Sequence, residues 1–145
     1  MKAVKLNRLK ELNEAYQAEV KATAMDAVKE AVHEFLSEHK NVKAVKWSQY
    51  TPYFNDGEAC VFQVYEPEFL WEGEEEYIDL YSYNDKSYAR EVKLVRVPYN
   101  SKLSEDASLL VSLLQNNVNV LEVALGEGEI VATAKGIDIT DVSHD

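Results

Sequence analysis

Val28-Lys29-Glu30-Ala31-Val32-His33-Glu34-Phe35-Leu36-Ser37-Glu38-His39-Lys40-Asn41-Val42-Lys43-Ala44-Val45-Lys46-Trp47-Ser48-Gln49-Tyr50 contains the change of period that decides the fold. Ala24, Val28, Ala31, Val32 and Phe35 recur at helical spacing, and from Val42 onward apolar residues alternate as they do on a strand. Upstream, residues 5–39 contain no Gly or Pro and are rich in Ala, Leu, Glu and Lys, which predicts a helix stopped at Asn41. An earlier stripe, Leu9, Leu12, Tyr16 and Val20, is rotated from the later one by roughly 80° at about 100° per residue, so this helix cannot present one flat face. Unbroken, it would span about 50 Å at 1.5 Å per residue. A compact chain of this length has a radius of gyration of about 15 Å, so part of the helix must overhang. Either Thr23-Ala24-Met25-Asp26, a weak capping box, starts a second helix, or residues 1–22 protrude and pack on another subunit. The second alternative is favoured, because nothing in Ala22-Thr23-Ala24 enforces a break.

Downstream, residues 43–50 read as a first strand, Asn55-Asp56-Gly57 as a turn, and 59–65 as a second strand with Cys60, Phe62 and Val64 toward the core. A loop through Pro67 and the acidic run 72–76 follows. Residues 77–83 read as a third strand, with Ile78 and Leu80 opposite Tyr77, Tyr81 and Tyr83, and residues 91–97 as a fourth ended by Pro98. Leu103, Ala107, Leu110, Val111 and Leu114 then recur at helical spacing behind Ser101 or Ser104 as cap, with Asn116-Asn117 closing the helix. A short helix over 120–125 ends at Gly126, and 129–134 with 137–142 make a closing hairpin through Lys135-Gly136. The expected architecture is α+β in one domain over 1–145: a long amino-terminal helix on an antiparallel meander, then short helices and a carboxy-terminal hairpin.

The chain has 145 residues, enough for one core without disulfides or metal, and a net charge of −11. That charge repels phosphate backbones and anionic lipid, which argues against nucleic-acid and membrane partners. It is also uneven: residues 47–85 hold ten acids and no Lys or Arg, whereas 86–102 hold five bases and one acid. A lone Cys60 in an apolar run points to a buried thiol, and the lack of an apolar leader or long apolar window points to the cytoplasm.

Catalytic signatures are thin. His33 and His39 fall on different helix faces, Asn55-Asp56-Gly57-Glu58 lacks the ligand spacing of a calcium loop, and Gly126-Glu127-Gly128-Glu129 lacks the Lys and Ser/Thr of a phosphate cradle. The tail from Asp138 to Asp145 has cation-binding groups, but on an end that ordinarily frays. No catalytic residue, metal or cofactor is therefore assigned.

Aromatics remain. Trp47-Ser48-Gln49-Tyr50-Thr51-Pro52-Tyr53-Phe54-Asn55-Asp56-Gly57-Glu58 crowds aromatic side chains against a proline and a turn, and eight of the nine tyrosines lie between Tyr50 and Tyr99. Tyrosine offers a large amphipathic area held by two torsions, which suits protein recognition. The candidate binding residues are Gln49, Tyr50, Tyr53, Phe54, Asn55, Asp56, Tyr81 and Tyr83.

Trp47, the string Gln49 to Gly57 and the ending Gly136-Ile137…His144-Asp145 resemble a group of small tailed-bacteriophage proteins of no assigned activity. The resemblance covers two short blocks and implies a phage origin and the cytoplasm of the infected bacterium. With the acidic, tyrosine-rich sheet, it suggests a non-enzymatic accessory protein that oligomerises through the amino-terminal helix and binds a host protein, inhibiting a host or defence factor. The alternatives are a small-molecule or nucleotide sponge, in which Tyr and Trp stack a base while Lys86, Arg90, Lys93 or Arg96 meet phosphates, and a minor virion or assembly component.

Overall fold

The computed structural model describes residues 2–52, 60–85 and 99–141, with side chains from residue 7 onward. Helix α1 (Lys2–Glu38) is continuous, so the alternative of a break at Thr23 is not taken. Strands β1 (Val42–Tyr50), β2 (Gln63–Val64), β3 (Glu68–Trp71) and β4 (Ile78–Asp79) follow, then α2 (Leu80–Asn84), α3 (Ser101–Asn116), α4 (Val118–Leu125) and the hairpin β5 (Gly128–Thr133) and β6 (Gly136–Thr140). All pairings are antiparallel, in the order β4-β3-β1-β5-β6, with β2 also on β1. This is the expected α+β class.

β1 is the spine of the sheet. One edge pairs with β5 from Ala44 to Gln49; the other is shared by β3 and β2. The registers Gln49↔Val64 and Lys46↔Glu68 differ by one residue, so β2 and β3 are one strand interrupted around Pro67. Proline has no N–H for the ladder, which is why it sits at the interruption. The expected loop through Pro67 is thus corrected: Phe69 and Trp71 alternate inward and are fully buried.

Three other expectations are corrected. The second strand is only two residues long, its described ladder with β1 ending at Tyr50↔Gln63, and Cys60 is exposed rather than in the core. The third strand stops after Asp79 and becomes α2, which turns Tyr83 into the core while Tyr81 remains 74% exposed. Asn100 rather than Ser101 or Ser104 caps α3, its side chain accepting a hydrogen bond from the Leu103 amide. The fourth strand, the Asn55 turn and residues 142–145 lie outside the described residues.

The core lies between the sheet's inner face and the helices. Val45, Trp47, Val64, Phe69, Ile130 and Ala132 project inward from the strands, and the carboxy-terminal half of α1 meets them with Val28, Val32, Phe35 and Leu36. α3 adds Leu103, Ala107, Leu110 and Leu114, and α4 adds Leu121, Ala124 and Leu125. α4 ends where Gly126 takes φ +69 and its amide donates to the Glu122 carbonyl. At Gly128 a Cβ would stand 2.6 Å from the Thr140 carbonyl oxygen, so glycine lets β6 close on β5. Among the described residues no single helix is long and apolar enough to cross a membrane.

Candidate functional site

The eight residues singled out from sequence separate sharply. Gln49 is fully buried and structural: its Nε2 donates to the Leu121 carbonyl at 3.0 Å and the Gly126 carbonyl at 2.6 Å, and its Oε1 accepts from Trp47 Nε1 at 2.9 Å. This side chain ties β1 to the end of α4, with both amide hydrogens used and the group buried away from any partner. Tyr83 is also a core residue. It stacks on Trp71 at 4.9 Å between centroids, and its hydroxyl accepts from the Asn100 amide at 2.9 Å. Burial raises its pKa above the usual tyrosine value, against the lowering effect of that amide. Tyr53, Phe54, Asn55 and Asp56 lie outside the described residues, which leaves Tyr50 and Tyr81 as accessible members of the set.

Tyr50 leads to a face that sequence reasoning located only in part. Because side chains alternate along β1, Lys46, Ser48 and Tyr50 point away from the helices and are half-buried. Tyr50 stacks on Tyr65 at 4.7 Å and 30° between ring planes. The Lys46 ammonium sits 4.1 Å from the centre of the Tyr77 ring. Cross-strand register puts Glu68 beside Lys46, Asp79 beside Glu68, Glu129 beside Ser48 and Asp138 beside Val131, all on this outer face. Burial first, and then the Glu129 and Glu68 carboxylates, push the Tyr77 hydroxyl above its usual pKa. Burial, followed by the hydrogen bond with Tyr50, does the same for Tyr65. Both tyrosines keep their protons at neutral pH and remain donors within an acidic field. Tyr77 was legible from strand alternation; Tyr65 was not, because its place depends on the pairing with β1.

A second cluster joins α1 to α3. His39 Nε2 lies 2.7 Å from Asp106 Oδ2, and Lys102 Nζ lies 3.1 Å from Asp106 Oδ1. His39 also packs its ring on Phe35. Glu38, His39 and Asp106 offer donor atoms within 4.8 Å of one another, a possible cation set, but Lys102 already holds a positive charge on the same carboxylate. The cluster is better suited to fastening two helices. Hydrogen bonds from His39 and then Lys102 lower the Asp106 pKa, so Asp106 contributes stability above its unfolded pKa, about 3.9, and loses it as pH falls through the folded value. Asp106→Asn is therefore expected to melt below the wild type at pH 7, with the gap closing as pH drops past the ordinary aspartate range. Melting curves over a pH series check this; a gap constant with pH would assign the cluster no electrostatic role.

Trp71 Nε1 is buried without a hydrogen-bond partner among the described residues, an energetic cost for which we have no physical account. No protein-family model, no curated protein and no solved structure matches the chain.

Proposed function

We propose that this chain is a non-enzymatic accessory protein of a tailed phage that binds a host protein through the outer face of its sheet. The observation that carries the reading is the outer face itself: the Tyr50–Tyr65 stack and Tyr77 form a pre-ordered aromatic surface framed by Glu68, Asp79, Glu129 and Asp138. Rings already stacked lose little entropy on docking, and the acidic frame favours a basic partner surface such as a nucleic-acid groove. Blocking that groove would inhibit the partner without any chemistry. The resemblance to phage proteins supports the source, through residues 47–57 and 136–145.

One observation favours a second reading, an anionic small molecule such as a nucleotide. A groove of about 770 Å³ at the end of the sheet is lined by Lys40, Lys43, Lys135 and His33 beside Tyr77, in a chain of net charge −11. Lys86, Arg90, Lys93 and Arg96 lie outside the described residues, and in the groove Lys40, Lys43 and Lys135 stand with Glu72.

One preparation tests both readings. Tagged chain added to host lysate is expected to retain a stoichiometric protein. Tyr50→Ala and Tyr77→Ala should each weaken capture at least tenfold while shifting the melting temperature by only a few degrees. Equal capture by all three chains would reject the outer face as the site. Nucleotide released from the purified chain on denaturation would favour the groove.

A further inference from the structure

The first half of α1 is a bare arm. Every side chain from Asn7 to Glu19 is exposed, including Leu9 at 66%, Leu12 at 67% and Tyr16 at 62%. Residues 2–19 extend about 27 Å as helix, and isolated helices of that length are marginal in water without tertiary packing. Leu9, Leu12 and Tyr16 are spaced by three and four residues, the a and d spacing of a helix-pairing seam. The same stripe runs on through Val20 into a concave apolar notch lined by Tyr16, Thr23, Ala24, Ala27 and Val120.

We infer that this arm pairs with the same arm of a second copy, antiparallel, with the two-fold axis level with Glu14. Charge placement selects both the occupant and the direction. At about 100° per residue, Arg8 and Glu19 lie on the same flank of the seam. Antiparallel pairing brings like flanks together, so Arg8 of each arm meets Glu19 of the other, and the symmetric contact is made twice. The axis at residue 14 also places Leu12 of one arm on Tyr16 of the other and sends the start of each α1 toward the other's notch. A parallel pair sets unlike flanks against each other, so Arg8 would not reach Glu19 of the partner arm. Glu14 itself faces away from the seam and is left in water. Because every side chain from Asn7 to Glu19 is exposed, pairing is separable from the core and from the outer sheet face.

The test uses the full chain with Cys60→Ser, since Cys60 is exposed. Light scattering at micromolar concentration is expected to give twice the 16.5 kDa chain mass. Leu12→Glu should weaken association at least tenfold and leave the cooperative melt of the core unchanged. For direction, Arg8→Cys and Glu19→Cys chains carrying different tags are oxidised separately and together. The mixture is expected to form the mixed disulfide, and neither chain alone should cross-link. A monomer mass throughout the concentration range, whatever else the arm then captures, overturns the inference. So does a dimer whose Arg8→Cys and Glu19→Cys mixture forms no mixed disulfide, because the antiparallel register requires that contact.

Discussion

Replacing Gln49 by Leu is expected to lower the free energy of unfolding by about 3–5 kcal/mol, although the two side chains are similar in size. The glutamine is fully buried and spends its amide on three partners: the Trp47 indole N–H and the carbonyls of Leu121 and Gly126. Leucine removes all three hydrogen bonds and leaves the partners in place, and each buried polar group stranded in this way costs about 1–3 kcal/mol. The sum falls short of three full penalties, because Leu121 lies in α4 and its carbonyl retains its place in the helical ladder. Urea unfolding followed by tryptophan emission measures the change. A loss under 1 kcal/mol would mean that water reaches the site and that Gln49 does not fasten α4 to the sheet.

Trp47→Ala is expected to cost about 3–5 kcal/mol, the range for deleting a large aromatic from a packed core. The indole is 2% exposed, on the inner face of β1. Its removal both opens a cavity and leaves Gln49 Oε1 without its donor. In a domain of ordinary stability, 5–15 kcal/mol, this consumes a large share of the total, and Trp71 remains as the emission probe. The interaction between the two positions is separately measurable. Trp47→Phe with Gln49→Leu should cost less than the sum of the single changes, because the double variant removes both ends of one hydrogen bond rather than stranding either. Additive losses would show that the indole N–H contributes nothing through Gln49.

The two substitutions also explain why the aromatic segment was hard to read. Trp47, Gln49 and Tyr50 are neighbours in a string that looks uniformly like a surface for binding, yet pleating sends Trp47 and Gln49 inward and Tyr50 outward. The sequence groups Gln49 and Tyr50 together as binding candidates, and the pleat of β1 parts them. Neighbouring residues give no sign that a polar amide takes the inner side, because its partners are a pair of carbonyls more than seventy residues away. The same limit applies to Tyr83, whose local pattern reads as strand but whose ring is claimed by Trp71, and to Ser101 and Ser104, each a plausible cap until Asn100 takes the Leu103 amide. The glutamates Glu68 and Glu129 belong to segments 61 residues apart, so their joint field at Tyr77 is a property of the pairing and not of either segment.

What the sequence determined by itself is whatever depends on neighbours along the chain. Freedom from Gly and Pro and a 3.6-residue period favoured α1 as one helix, and its length against a compact domain pointed to a first half that leaves the core. The switch of period at Val42 made β1, and Gly126 and Lys135-Gly136 set the end of α4 and the last hairpin. What only the tertiary structure decided is whatever depends on partners distant in sequence. The one-residue offset around Pro67 turned an expected loop into β3, the ladder's end at Gln63 left Cys60 exposed, and α3 drew His39 into a hydrogen bond with Asp106. The physical reason is common to all three: helix propensity and turn chemistry act within a few residues, whereas strand pairing, burial and buried hydrogen bonds are settled by which distant surfaces close over one another.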